Sequence, residues 1–441
     1  AGDAETIPGT IFGFEGPYYL VKFDERGISQ WATKIRYYNG FSKAGAIDTD
    51  DEGNIYCVFY HGGSQQGDSV LFYSTDGKVL GTNPPTEGLF QNDAYLAKYD
   101  KHGVLQWFKP YPEDYTIWQM QLLCDDLGNV YLGNNGLTKY SSSGELVWFS
   151  YTPNPYVPGG VDPTTDLEFD AQGNVVVSKS YLGVQKVSPE GNLLFNVQPL
   201  SLQGQLMNVY TASMEIDNSG NIYLAGIFGD TLSFGDSLLI DNIFIHGNAD
   251  GFVAKMDSVG QPIWVKQIKA ITEHKISGFD LNDDEVTWFA VAYGENKIVV
   301  DGLPTVNFTT QGHYATTFDT AGNPILLKKL NEDQFFNGCN VTLPFEDFHY
   351  SPINGLPVFG FEHRTGFEFE GQNFPASEHP CEFFIANASL DCFNAPDFIG
   401  VWPGDCNDDG TANHVDLLSI GLGMGNGLAG SSRLDQGIDW A

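Results

Sequence analysis

The sharpest chemistry in this chain lies between residues 405 and 416, Asp-Cys-Asn-Asp-Asp-Gly-Thr-Ala-Asn-His-Val-Asp. Oxygen-bearing side chains fall at loop positions 1, 3, 5, 9 and 12, with Gly410 at position 6. Thr411, at position 7, would offer its backbone carbonyl. Calcium takes six to eight hard oxygen ligands in a flexible cage, and a glycine at the sixth position permits the sharp turn such a loop needs. Asp405, Asn407, Asp409, Thr411, Asn413 and Asp416 are therefore the candidate ligands of a Ca2+ ion. Leu417-Leu418-Ser419-Ile420 then begins an apolar exiting helix.

A second constellation is aromatic. Arg36-Tyr37-Tyr38, Tyr111-Pro112-Glu113-Asp114-Tyr115 with Trp118, and Tyr151-Thr152-Pro153-Asn154-Pro155-Tyr156 gather in the first half of the chain. Tyrosines beside carboxylates combine stacking surfaces with acceptors for hydroxyl groups, which suits a sugar or a peptide. Tyr37, Tyr38, Tyr111, Tyr115, Trp118, Tyr151 and Tyr156 are the candidate ligand-binding residues. The structural alternative, rings that only pack loops onto the body of the fold, stays open. No catalytic set stands beside them. The nine histidines show neither HxxxH nor HExxH spacing, and no Gly-x-Ser-x-Gly elbow is present. A lone histidine such as His61 or His313 reads as a loop or packing residue. Carboxylates are too numerous for any pair to be singled out, so no residue is assigned as catalytic.

The elements that must position these residues are written as a repeat. Asp50-Asp51-Glu52-Gly53-Asn54-Ile55-Tyr56 returns as Asp125-Asp126-Leu127-Gly128-Asn129-Val130-Tyr131, at Asp170 to Val176, and at Asp217 to Tyr223. A second phrase answers it: Tyr95-Leu96-Ala97-Lys98-Tyr99-Asp100, Gly103 and Trp107, repeated as Phe252 to Asp257, Gly260 and Trp264. Each phrase is a strand, a turn in which Asp caps and Gly takes positive φ, and another strand. Two such pairs make a four-stranded unit of propeller-blade length. Units are expected near 10–34, 46–109, 118–150, 164–196, 210–267, 276–329 and 341–392. The fold class is all-β, a β-propeller of seven blades, or of six closed by joining the two chain ends. Trp31, Trp107, Trp148 and Trp264 share one blade position, as do Lys22, Lys98, Lys139, Lys186 and Lys255. A residue needed in every blade serves the blade, by packing or by pairing with a neighbour.

A four-stranded meander separates its connections. The first-to-second and third-to-fourth turns fall on one face and are uniformly tight here. The second-to-third loops and the links between units fall on the other. There 61–94, 227–250 and 296–313 are long, whereas 134–136 and 181–183 are minimal. Binding is expected on that varied face.

Bulk properties narrow the class. A net charge of −35 with four arginines excludes nucleic acid or an anionic membrane surface as partner. No apolar run is long enough to span a bilayer, so no membrane insertion is expected. The chain opens on Ala1, as removal of a secretion signal would leave it. Cys381 and Cys392 flank one predicted strand, where a bridge and free thiols both stay open, and Cys57 reads as a buried free thiol.

Over residues 10–392 these phrases resemble the bacterial seven-bladed β-propeller repeat family of secreted and cell-surface proteins. The loop at 405–416, with Trp402-Pro403-Gly404 before it and Gly421-Leu422-Gly423-Met424-Gly425 after, resembles dockerin modules of Bacteroidota-type secreted proteins. That resemblance implies an ion that folds the module, and carries over the ligand set already named. The chain is expected to divide into a propeller, 1–395, and a dockerin-like calcium-binding module, 396–441, incomplete beside the two loops of a dockerin, as a truncated or processed module or a single-loop variant would be. The function expected is a secreted or cell-surface propeller that binds an extracellular polysaccharide or protein partner. An extracellular carbohydrate-active enzyme, with two carboxyl groups flanking a cleft, and a structural component of a surface assembly are the rivals.

Overall fold

A computed structural model describes residues 18–387, apart from 24–28, 39–40, 63–68, 82–91, 112–119, 135, 151–162, 181–182, 198–199, 202–208, 230, 234–238, 241–248, 273, 283, 331–346, 351–356, 364–366, 370–371 and 375–381. All regular structure among the described residues is strand. Unit 2 is the meander Phe41–Thr49, Ile55–Gly62, Asn92–Tyr99, Leu105–Tyr111, each strand antiparallel to the next. Unit 3 spans Gln121–Cys124 to Leu146–Ser150, and unit 4 Thr164–Phe169 to Leu193–Val197. Unit 5 runs from Val209–Ile216 to Pro262–Ala270, and unit 6 from His274–Leu281 to Pro324–Lys329. Unit 7 shows Asp347–Tyr350, Pro357–His363 and Glu382–Asn387. The first strands of units 2 to 7 pack side by side in chain order, so they form the inner ring. This is a β-propeller.

The turns close as the repeated phrase demands. Asp50 Oδ1 accepts from the backbone N–H of Glu52 (3.1 Å) and Asn54 (2.8 Å), while the Asn54 side chain donates to Asp50 Oδ2 (2.8 Å). Asp125, Asp170 and Asp217 repeat the arrangement with Asn129, Asn174 and Asn221.

Consecutive units are joined by a latch that reuses the same positions. Trp31 Nε1 donates to the Lys101 carbonyl (3.0 Å), Trp107 to Ser142 (3.1 Å), Trp148 to Pro189 (2.9 Å) and Trp264 to Thr320 (3.2 Å). Each acceptor sits in the third-to-fourth turn of the following unit. Lys139 and Lys255 reach the carbonyls their units' tryptophans reach, and Lys186 reaches Ser258 at 2.8 Å. Behind the contact, Lys98, Lys139 and Lys255 lie 4.7–4.8 Å over the rings of Tyr56, Tyr131 and Tyr223. Those tyrosines donate to Asp50, Asp125 and Asp217 at 3.2–3.5 Å. The turn glycine is part of the fit: at Gly322 (φ +85) a Cβ would lie 2.9 Å from the Trp264 ring. The repeated Trp, with Lys22, Lys139, Lys186 and Lys255, pair with the following unit, and Lys98 packs on Tyr56 within its own, so these residues serve the blades as expected.

The long loops did not behave as loops. Ser69–Tyr73 and Val79–Gly81, inside the 61–94 insertion of unit 2, form a hairpin on the sheet of unit 1. Phe72, Leu71, Val70 and Ser69 pair with Ile35, Arg36, Tyr37 and Tyr38 at the end of the strand Ser29–Tyr38. The 227–250 loop does the same: Leu232–Ser233 pairs with Leu200–Ser201, just beyond the outer strand of unit 4. In the 296–313 loop, Ile298 and Val299 pair with Ala270 and Lys269 at the end of unit 5. Each hairpin therefore clasps the preceding unit. Each also drives in an apolar wedge. Val70 and Phe72 are fully buried, with Phe72 stacked on Phe108 at 4.6 Å. Leu232 is buried among Val176, Phe228 and Phe252, and Ile298 and Phe308 among Ile268, Trp288 and Tyr314.

Candidate ligand-binding face

The clasps divide the varied face into covered and uncovered sectors. Hairpins cover the outer strand ends of units 1, 4 and 5. Among the described residues units 2 and 3 carry none, and the loops that would supply them, at 134–136 and 181–183, are minimal. In their place Asn134 N donates to Gly136 O (2.9 Å) and Lys179 N to Gly183 O (2.8 Å). The sector is thus bordered by clasped units, and the strands that end at Tyr111 and Ser150 reach it.

Three of the expected ligand-binding residues have described backbones. Tyr37 and Tyr38 end the fourth strand of unit 1, opposite Val70 and Ser69, so the clasp holds their backbone. Tyr111 ends the fourth strand of unit 2, opposite Ala94. Tyr115, Trp118, Tyr151 and Tyr156 lie outside the described residues, as do the calcium-loop residues Asp405, Asn407, Asp409, Thr411, Asn413 and Asp416 and the pair Cys381 and Cys392. Among the described residues no group of three His, Cys, Asp or Glu is placed to hold a metal. Cys57 and Cys124 are free, and Cys57 is buried.

At units 5 and 6 the same face holds a buried polar cluster that no repeated phrase marks. Asp250 accepts from Ala270 N (3.0 Å) and Gln267 Nε2 (2.6 Å), and burial pushes its carboxyl up. His274 Nδ1 lies 2.6 Å from the Tyr314 hydroxyl, and burial drives its pKa down to about 4, so the ring is neutral at pH 7. His313 is buried and stacked on Phe289 at 5.8 Å, the packing role expected of it. These groups are enclosed and tie strands together. No helix among the described residues is long and apolar enough to cross a membrane.

No family model matches the chain. An uncharacterised WD repeat-containing protein, L264, of Acanthamoeba polyphaga mimivirus is 22% identical over 394 residues, covering 76% of this chain and 26% of the relative. The chain thus spans about a quarter of that protein's length. Among solved structures, the Pan2 WD40 domain of Neurospora crassa is similar over 79% of this chain and 76% of its own, at 10% identity and a TM-score of 0.39. BamB from Moraxella catarrhalis is similar over 77% and 85%, at 12% identity and a TM-score of 0.35. An extracellular domain of a one-component system from B. thetaiotaomicron is similar over 82% and 46%, again at 12% and 0.35.

Proposed function

We propose that this protein is a secreted or cell-surface β-propeller that binds an extracellular polysaccharide or protein through the unclasped sector of units 2 and 3. The observation that supports the reading is the distribution of hairpins: among the described residues they pair beside units 1, 4 and 5 and none pairs with units 2 and 3, whose outer strand ends and following sequence carry Tyr111, Tyr115, Trp118, Tyr151 and Tyr156. Rings beside carboxylates there would stack on sugar or peptide faces and accept from their hydroxyls or amides. Tyr37 and Tyr38 would border the sector. A catalytic role has no support in the described residues beyond the abundance of carboxylates.

The segment 396–441 would serve as a connecting module folded around calcium held by Asp405, Asn407, Asp409, Thr411, Asn413 and Asp416. Replacing Asp405 and Asp409 with Ala should abolish the calcium heat in calorimetry and leave propeller melting unchanged; undiminished calcium affinity would remove the ligand assignment. The binding itself is tested by retention on immobilised polysaccharides with excess calcium, followed by assay for released sugars. Retention without release is the expected result. Release of sugars would favour the enzyme instead, and absence of retention on every polysaccharide would direct the search to protein partners.

A further inference from the structure

Unit 6 departs from the repeat at every position of the latch. Where unit 5 has Asp217, Tyr223, Lys255 and Trp264, the strand registers place Asn282, Thr287, Thr317 and Leu326 in unit 6. The first turn is also shorter. Ile216 pairs with Ile222 across residues 217–221, whereas Leu281 pairs with Val286 across 282–285. Asn282 closes that shorter turn by accepting from the backbone N–H of Asp284 (3.0 Å) and Glu285 (2.9 Å) on its Oδ1.

Between the first turn of unit 5 and the shorter first turn of unit 6 lies a cleft on the tight-turn face. Its volume is about 470 Å³, and it is lined by Asp217, Asn218, Ser219, Leu281, Asn282 and Thr320 among others. That volume lies within the roughly 300–1,000 Å³ usual for small-ligand sites.

The lining specifies the chemistry. Asp217 is compensated by Lys255 at 3.6 Å, so the floor offers no net charge to an ion. Asn218, Ser219, Asn282 and Thr320 are amides and hydroxyls, which both donate and accept. Among the described residues neither the Asn218 amide nor the Ser219 hydroxyl has a partner within the protein. Leu281 adds an apolar patch. Neutral hydroxyl groups around an apolar C–H face match that combination. We infer that the cleft between units 5 and 6 binds a neutral monosaccharide unit, at a site on the opposite face from the aromatic sector. It stands or falls independently of that sector.

Saturation-transfer NMR on the full chain, with the methyl glycosides of glucose, galactose and mannose as probes, tests this. At least one should bind saturably. Asn218→Ala should weaken it about tenfold, the effect of one lost polar contact, and Ser219→Phe should fill the cleft and abolish binding. Both positions are exposed, so both variants should melt with the wild type. If Ser219→Phe fails to fold, Asn218→Ala still decides. Binding by none of the glycosides, or unaltered binding in Asn218→Ala, would overturn the site. So would loss of binding in a Tyr115→Ala, Tyr156→Ala protein, since that would put the sugar on the other face.

Discussion

Asp217 shows how much one repeated residue does. Its carboxylate accepts from Ser219 N, Asn221 N, the Asn221 amide and the Tyr223 hydroxyl, and lies 3.6 Å from Lys255. Burial alone would raise its pKa; the Asn221 bonds and the Lys255 charge outweigh it and hold the carboxyl below the ordinary range. Asp50 and Asp170 are lowered for corresponding reasons. A depressed acid contributes stability that is fully present above its unfolded pKa, about 3.9, and is lost as pH falls through the lower folded value. Asp217→Asn should therefore be less stable than wild type at neutral pH, with the gap narrowing as the solution is acidified below about pH 4. A gap of constant size across that range, in denaturant titrations, would show that the carboxylate's charge is not what stabilises the turn. The sequence announced this residue clearly, because a turn that needs Asp, Gly and Asn together repeats all of them. It could not announce Asp250 or His274, whose neighbours come from separate strands and occur once.

At the scale of elements, the repeat predicted the meanders and missed the clasps. Strand alternation and turn residues are local signals, so units 2 to 6 were legible to within a few residues. The hairpins were not, because their pairing partners lie in the preceding unit: Ser69–Tyr73 is followed in sequence by unit 2 yet pairs with unit 1. These hairpins bridge units through buried wedges, and that gives a magnitude. Phe72→Ala should destabilise the protein by about 3–5 kcal/mol, the cost of emptying a buried aromatic site. Leu80→Ala, on the exposed edge of the same hairpin (41% exposed), should stay within about 0.5 kcal/mol. Equal effects of the two substitutions in thermal or chemical melts would mean the hairpin is surface decoration.

For the whole molecule, the proposed function gives the two faces separate roles. The tight-turn face carries the latches from unit 1 to unit 6, with the drifted unit 6 as the exception. The opposite face carries clasps and the sector they leave. A charge of −35 disfavours acidic partners, so under the proposed function the partner is a neutral polysaccharide or a basic protein surface. The central claim is that repeated residues hold the ring while the unclasped sector binds. Melting and ligand retention measured together on Trp264→Ala and Tyr156→Ala test it most directly. Trp264 is 8% exposed, so its removal should cost about 3–5 kcal/mol while the folded fraction retains ligand as wild type does. Tyr156→Ala should melt as wild type and lose retention. A stable Trp264→Ala protein without retention, or a Tyr156→Ala protein that binds fully, would contradict the account.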